Sequence, residues 1–102
     1  RMMADVPKAD VIVTNPEHFA VALKYDRPPT PAPIVVAKGA DLMAQKIKEI
    51  ARSFEIPIVE NPPLARALFA STEVDQQIPF EHWKAVAEVI SYVYKLKKKP
   101  LK

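Results

Sequence analysis

Asn15 is followed by Pro16, and that order closes the ordinary fate of an asparagine in a loop. Deamidation needs the backbone N–H of the next residue as nucleophile, and proline has none. What remains is attack by the Asn15 side-chain amide nitrogen on its own backbone carbonyl carbon, which forms a succinimide and expels the proline nitrogen. The chain would then part between Asn15 and Pro16. The dipeptide alone is a weak signal, because Asn and Pro are each favoured in turns for conformational reasons. Its neighbours sharpen it. The attacking amide must lose a proton and the leaving nitrogen must gain one, and His18, with the imidazole reference pKa of about 6.5, is the nearest group suited to either transfer. His18 reads equally well as an exposed loop histidine making one hydrogen bond. Glu17 places a negative charge beside a carbonyl that develops an oxyanion, which opposes the reaction unless solvent screens it. Asn15, Pro16, Glu17 and His18 are therefore the candidate catalytic residues, with Glu17 acting on the rate.

Most backbone conformations hold the Asn15 amide away from its own carbonyl carbon, so the loop must be held. Two flanking strands can do this, and well-oriented intramolecular reactions gain up to roughly 7–11 kcal/mol from proximity alone. Residues 10–14 and 19–25 are β-rich. In the second run Phe19, Val21, Leu23 and Tyr25 alternate with Ala20, Ala22 and Lys24, the pattern of a strand with one bulkier buried face. Residues 15–18 then form a hairpin loop.

Beyond the hairpin, Arg27–Pro33 holds four prolines in seven residues, which forbids helix and favours a stiff extended connector. Ile34–Ala37 reads as a third strand, with Lys38 and the single glycine, Gly39, in a strand-to-helix turn. A lone glycine is no phosphate-binding loop. From Asp41 as N-cap, Met43, Ile47, Ile50, Ala51 and Phe54 recur at helical spacing, while Lys46, Lys48, Glu49 and Arg52 lie mostly elsewhere. That helix ends before Pro57, and Ile56–Val59 supplies a fourth strand. Asn61 caps a short helix near Leu64–Ala70, with proline tolerated in its first turn. Pro79 opens the last helix, where Trp83, Val86, Ala87, Ile90, Val93 and Tyr94 form an apolar stripe widened by Ala85, Val89, Tyr92 and Leu96. The expected fold is α/β, a small mixed four-stranded sheet surrounded by about four helices in one domain.

A chain of 102 residues supports one modest core. With 49% hydrophobic and 26% charged residues it is no disordered polymer. It has no cysteine and only two histidines, His18 and His82, without ligand spacing, so neither a disulfide nor a metal site is expected, and no cofactor loop is evident. No apolar run approaches the roughly 20 residues of a membrane span. The net charge of +3 is concentrated in a tail where Lys95, Lys97, Lys98, Lys99 and Lys102 fall within the last eight residues. Without an aromatic-interleaved basic face, nucleic acid is not an expected partner, and a solvated helix end explains the tail.

Four stretches carry a resemblance that covers nearly the whole chain: Val-Thr-Asn-Pro-Glu-His-Phe-Ala-Val-Ala-Leu-Lys-Tyr-Asp (13–26), Ala-Pro-Ile-Val-Val-Ala-Lys-Gly-Ala-Asp (32–41), Pro-Ile-Val-Glu-Asn-Pro-Pro-Leu-Ala-Arg-Ala-Leu-Phe (57–69) and Ala-Val-Ala-Glu-Val-Ile-Ser-Tyr-Val-Tyr (85–94). In these the chain resembles the cytoplasmic domain of the FlhB/YscU family, the self-cleaving export-gate proteins of type III secretion systems, and its flagellar branch in particular. The resemblance implies the same fold, self-cleavage at Asn15–Pro16, and control of the switch from rod and hook proteins to filament substrates. It implies as partners the hook-length control protein, rod and hook-type export substrates, other flagellar export-gate components and an N-terminal membrane domain missing from this chain. The implied location is the cytoplasmic face of the bacterial inner membrane, at the flagellar basal body. The family motif usually reads Asn-Pro-Thr-His, so Glu17 is a departure that bears on the rate.

On this reading residues 1–8 end a linker from the membrane domain, 9–96 form the autocleaving domain and 97–102 a basic flexible tail. The chemistry is at most a single-turnover self-reaction, since no nucleophile–base constellation or paired acidic site for an external substrate is evident. The alternative is a docking domain of a secretion-system export gate whose loop stays whole because of Glu17.

Overall fold

The computed structural model describes residues 2–25 and 32–98. β1 (Val11–Asn15) and β2 (Phe19–Lys24) form an antiparallel hairpin in which Val11 faces Leu23 and Asn15 faces Phe19. β3 (Ile34–Ala40) adds antiparallel to β2, and β4 (Ile58–Glu60) adds parallel to β1, so the order is β3-β2-β1-β4. The hairpin that carries the candidate loop is thus the centre of a mixed sheet. The helices are α1 (Leu42–Ser53), α2 (Pro62–Ser71) and α3 (Trp83–Lys98), with short 3-10 helices at Met2–Lys8 and Phe80–His82. None of the described helices is long and apolar enough to cross a membrane.

Both faces of the sheet are covered. Val11, Val13, Val21, Leu23 and Val35 pack with Leu64, Ala65 and Leu68 of α2 and with Val86, Val89 and Val93 of α3. On the other face Ile12, Ala20, Ala22 and Ala37 meet Ala44, Ile47 and Ala51 of α1, together with Val6. This corrects the expectation of one buried face on β2. Ala20 and Ala22 are fully buried as well, and the alternation along β2 is one of bulk, with alanines where α1 approaches closely.

β3 runs three residues past the expected Ala37 and includes Lys38 and Gly39. The chain turns instead at Asp41, which has φ of 52°. Gly39 serves close approach: a Cβ there would lie 2.7 Å from the Met43 Cβ and 3.1 Å from the Met43 carbonyl carbon. Asp41 precedes α1 as expected but makes no side-chain capping bond. Asn61 does cap α2, its Oδ1 accepting from the Leu64 N–H at 3.3 Å, with Pro62 and Pro63 in the first turn.

α3 buries a narrower stripe than its composition suggests. Val86, Val89 and Val93 are buried, whereas Trp83 is 37% and Tyr94 52% exposed. The Trp83 indole N–H donates to the Ile78 carbonyl at 3.3 Å, and its ring meets Phe80 edge-on at 5.0 Å. With the sheet on one side only, apolar residues off that line reach solvent. Residues 2–8, expected as the end of a linker, form a 3-10 helix whose Val6 is fully buried. Of the proline-rich connector, residues 27–31 lie outside the described residues, while Ala32 is buried and the Pro33 carbonyl accepts from the Ile78 N–H at 3.0 Å. α3 continues through Lys98, and the remainder of the expected tail lies outside the described residues.

Candidate functional site

Thr14, the residue before the candidate asparagine, is buried in the middle of the sheet, opposite both Ala20 of β2 and Glu60 of β4. Its carbonyl accepts the Asn61 N–H at 2.8 Å. Asn15 is therefore delivered from a strand paired on both sides, and the chain reverses immediately after it. The reversal is closed by the His18 N–H donating to the Asn15 carbonyl at 2.8 Å, with Asn first and Pro second in the turn, where each is favoured. Asn15 and Pro16 are half-buried, and Glu17 and His18 are exposed.

The Asn15 carbonyl is thus polarised by a backbone donor in place. A donor at this distance stabilises the oxygen as it gains charge. His18 contributes this through its main chain. Its imidazole, 67% exposed, has Nδ1 3.8 Å from Oδ1 of Asp41, and its carbonyl accepts the Asp41 N–H at 3.0 Å. The Glu17 carboxylate stands in solvent, where its opposition to an oxyanion is screened.

Behind the turn lies a residue that the sequence reading placed among the solvated charges of α1. Lys48 is only 8% exposed, and its Nζ donates to the Pro16 carbonyl. The signal was present in the spacing: Ala44, Lys48 and Ala51 fall on one helical face, and both alanines are fully buried. At the other end of the hairpin turn Phe19 packs on Phe69 of α2 with ring centroids 4.5 Å apart. Lys38 reaches the same helix end, its Nζ donating to the Phe69 carbonyl at 2.8 Å and lying 3.7 Å from Glu73.

Away from the turn, a cleft of about 740 Å³ runs along α3, lined in part by Tyr25, Pro33, Trp83, Ile90 and Tyr94. Among the described residues no group of three or more His, Asp or Glu is placed to hold a metal ion.

A model of the family described as FlhB, HrpN, YscU and SpaS matches residues 1–93. The chain belongs to the FlhB/YscU family. It is 56% identical over 99 residues to the flagellar biosynthetic protein FlhB of Bacillus subtilis, covering 97% of this chain and 28% of that protein. The chain therefore spans little more than a quarter of the length of this FlhB. The crystal structure of the cytoplasmic domain of FlhB from Shewanella putrefaciens superimposes with a TM-score of 0.91 at 51% identity, covering all of this chain and 84% of that one. A mutated EscU C-terminal domain, with an asparagine replaced by alanine, matches with a TM-score of 0.85 at 34% identity, over 90% of this chain and 92% of that one. The three-layer arrangement around the hairpin is thus the fold of FlhB/YscU cytoplasmic domains, and the Asn15–His18 turn lies within the matched region.

Proposed function

We propose that this chain is the cytoplasmic domain of a flagellar type III export-gate protein which cuts itself once, between Asn15 and Pro16, and which helps to switch export from rod and hook proteins to filament-class proteins. The observation that carries the chemistry is the Asn15 carbonyl, held by strand pairing behind it and by the His18 N–H at 2.8 Å. The Asn15 Nδ2–C bond forms, the C–N bond to Pro16 breaks, and one proton passes from the amide to the proline nitrogen. The developing oxyanion rests on the His18 N–H, and the His18 imidazole serves as proton relay. Water then opens the succinimide at the new end of residues 1–15. The reaction is a single turnover on the chain's own backbone and calls on no cofactor.

Within that role the chain meets the hook-length control protein, rod and hook-type substrates and other export-gate components, and residues 1–8 lead from an N-terminal membrane domain at the cytoplasmic face of the inner membrane. Cleavage alters the loop's shape and charge, and that altered surface is what the export machinery reads. A second reading, a docking domain whose loop stays whole, rests on the sequence: Glu17, two residues after Asn15, adds a negative charge to the turn that solvent screens only in part. Intact-protein mass spectrometry under denaturing conditions separates the two. Two masses, for residues 1–15 and 16–102, support self-cleavage, and a single full-length mass after prolonged incubation supports the docking domain.

A further inference from the structure

We infer that Lys48 is a positioning residue for cleavage, an inference that rests on the self-cleavage reading above. Its side chain leaves the buried face of α1, where Ala44, Ile47 and Ala51 are fully buried, and only 8% of the residue is exposed. Removing an ammonium from water is costly unless it is well paired. Yet no carboxylate among the described residues lies within ion-pair distance of Lys48; its partner is the Pro16 carbonyl oxygen. An apolar side chain of similar length would fill the same place without that penalty, so packing stability does not account for a lysine here.

What the cation supplies is orientation of the leaving residue. The ring of Pro16 fixes φ, which leaves ψ as its one soft backbone dihedral. A hydrogen bond to the Pro16 carbonyl fixes ψ. Just before the first residue of α1, the Asp41 N–H holds the His18 carbonyl at 3.0 Å. α1 and the residue that precedes it thus grip the turn at Pro16 and at His18, while strand pairing and the His18 N–H hold the Asn15 carbonyl. The planar Asn15–Pro16 peptide is clamped on both sides, and the search for the near-attack geometry falls to the Asn15 side chain alone.

The test compares Lys48→Met and Lys48→Arg with the parent chain. Cleavage is followed after pulse-labelled synthesis by denaturing mass spectrometry, and stability by thermal unfolding in an Asn15→Ala background. Lys48→Met should cleave about ten- to a hundredfold more slowly, with a melting temperature equal to or above that of its background, and Lys48→Arg should restore most of the rate. A second arm needs no cleavage: in the Asn15→Ala background, Lys48→Met should speed amide hydrogen exchange at the His18 N–H. Undiminished cleavage in Lys48→Met overturns the inference, as does slowing accompanied by a lowered melting temperature, which marks a merely structural role. Were the parent chain itself to stay whole, self-cleavage would fall while the exchange arm still decided Lys48: unchanged His18 exchange overturns the positioning role, and faster exchange upholds it.

Discussion

The Asn15 carbonyl and the carbonyl of the next residue, Pro16, are held by different partners, the former by the His18 N–H and the latter by Lys48 from α1. The nucleophile belongs to neither restraint, so Asn15→Ala removes the chemistry and leaves the restraints standing. That variant should show one full-length mass at all times and an unfolding free energy within about 0.5 kcal/mol of the parent chain measured before it is cut, because Asn15 is half-buried at the end of β1 and belongs to neither core. Persisting cleavage would sink the succinimide route. Glu17→Thr deletes an exposed negative charge near the developing oxyanion, and should speed cleavage about two- to fivefold in the same mass assay. Asn15, Pro16 and His18 could be put forward from the sequence as candidates because the chemistry proposed for them depends on their order in the chain. Lys48 was not, since a lysine among Lys46, Glu49 and Arg52 looks like one more solvated charge. Only its alanine neighbours at helical spacing, Ala44 and Ala51, mark it as inward-facing.

The elements that hold the site were legible to the extent that their signals were local. Alternation gave the hairpin, and Asn61 before two prolines gave the start of α2, because strand periodicity and helix capping each act within a few residues. The end of β3 was misplaced because Gly39 reads as a turn residue when only its neighbours in sequence are known. Its reason for being glycine lies across space in α1. Gly39→Ala should therefore push β3 away from Met43 and destabilise the domain by about 1–3 kcal/mol, seen as a lowered urea midpoint. Because β3 leads through Asp41 to His18, the same variant should also slow cleavage. A Gly39→Ala chain as stable as the parent would mean that the α1 backbone at Met43 shifts at no cost.

At the scale of the whole molecule the three-layer arrangement was not visible from β2 alone, since a strand with alanines on one side matches either a solvated face or a closely packed helix. The arrangement decides what a cut can do. Residues 1–15 supply Val6, Val11, Ile12 and Val13, all buried, to both cores, and β1 is hydrogen-bonded to β2 on one side and to β4 on the other. Releasing this piece would open both cores at once, so the severed chain should remain one folded body that elutes as a single native species containing both masses and unfolds in one transition. Yet the cut changes the thermodynamics in a measurable way. Unfolding of the whole chain is unimolecular, whereas unfolding of the cut chain also dissociates two fragments, so mass action makes its midpoint rise with protein concentration. Thermal scans at several concentrations should show that rise for the cleaved protein and a constant midpoint for Asn15→Ala. Loss of residues 1–15 on native chromatography would show instead that β1 is held mainly by its covalent link through the turn, and the export machinery would then meet a domain without its central strand.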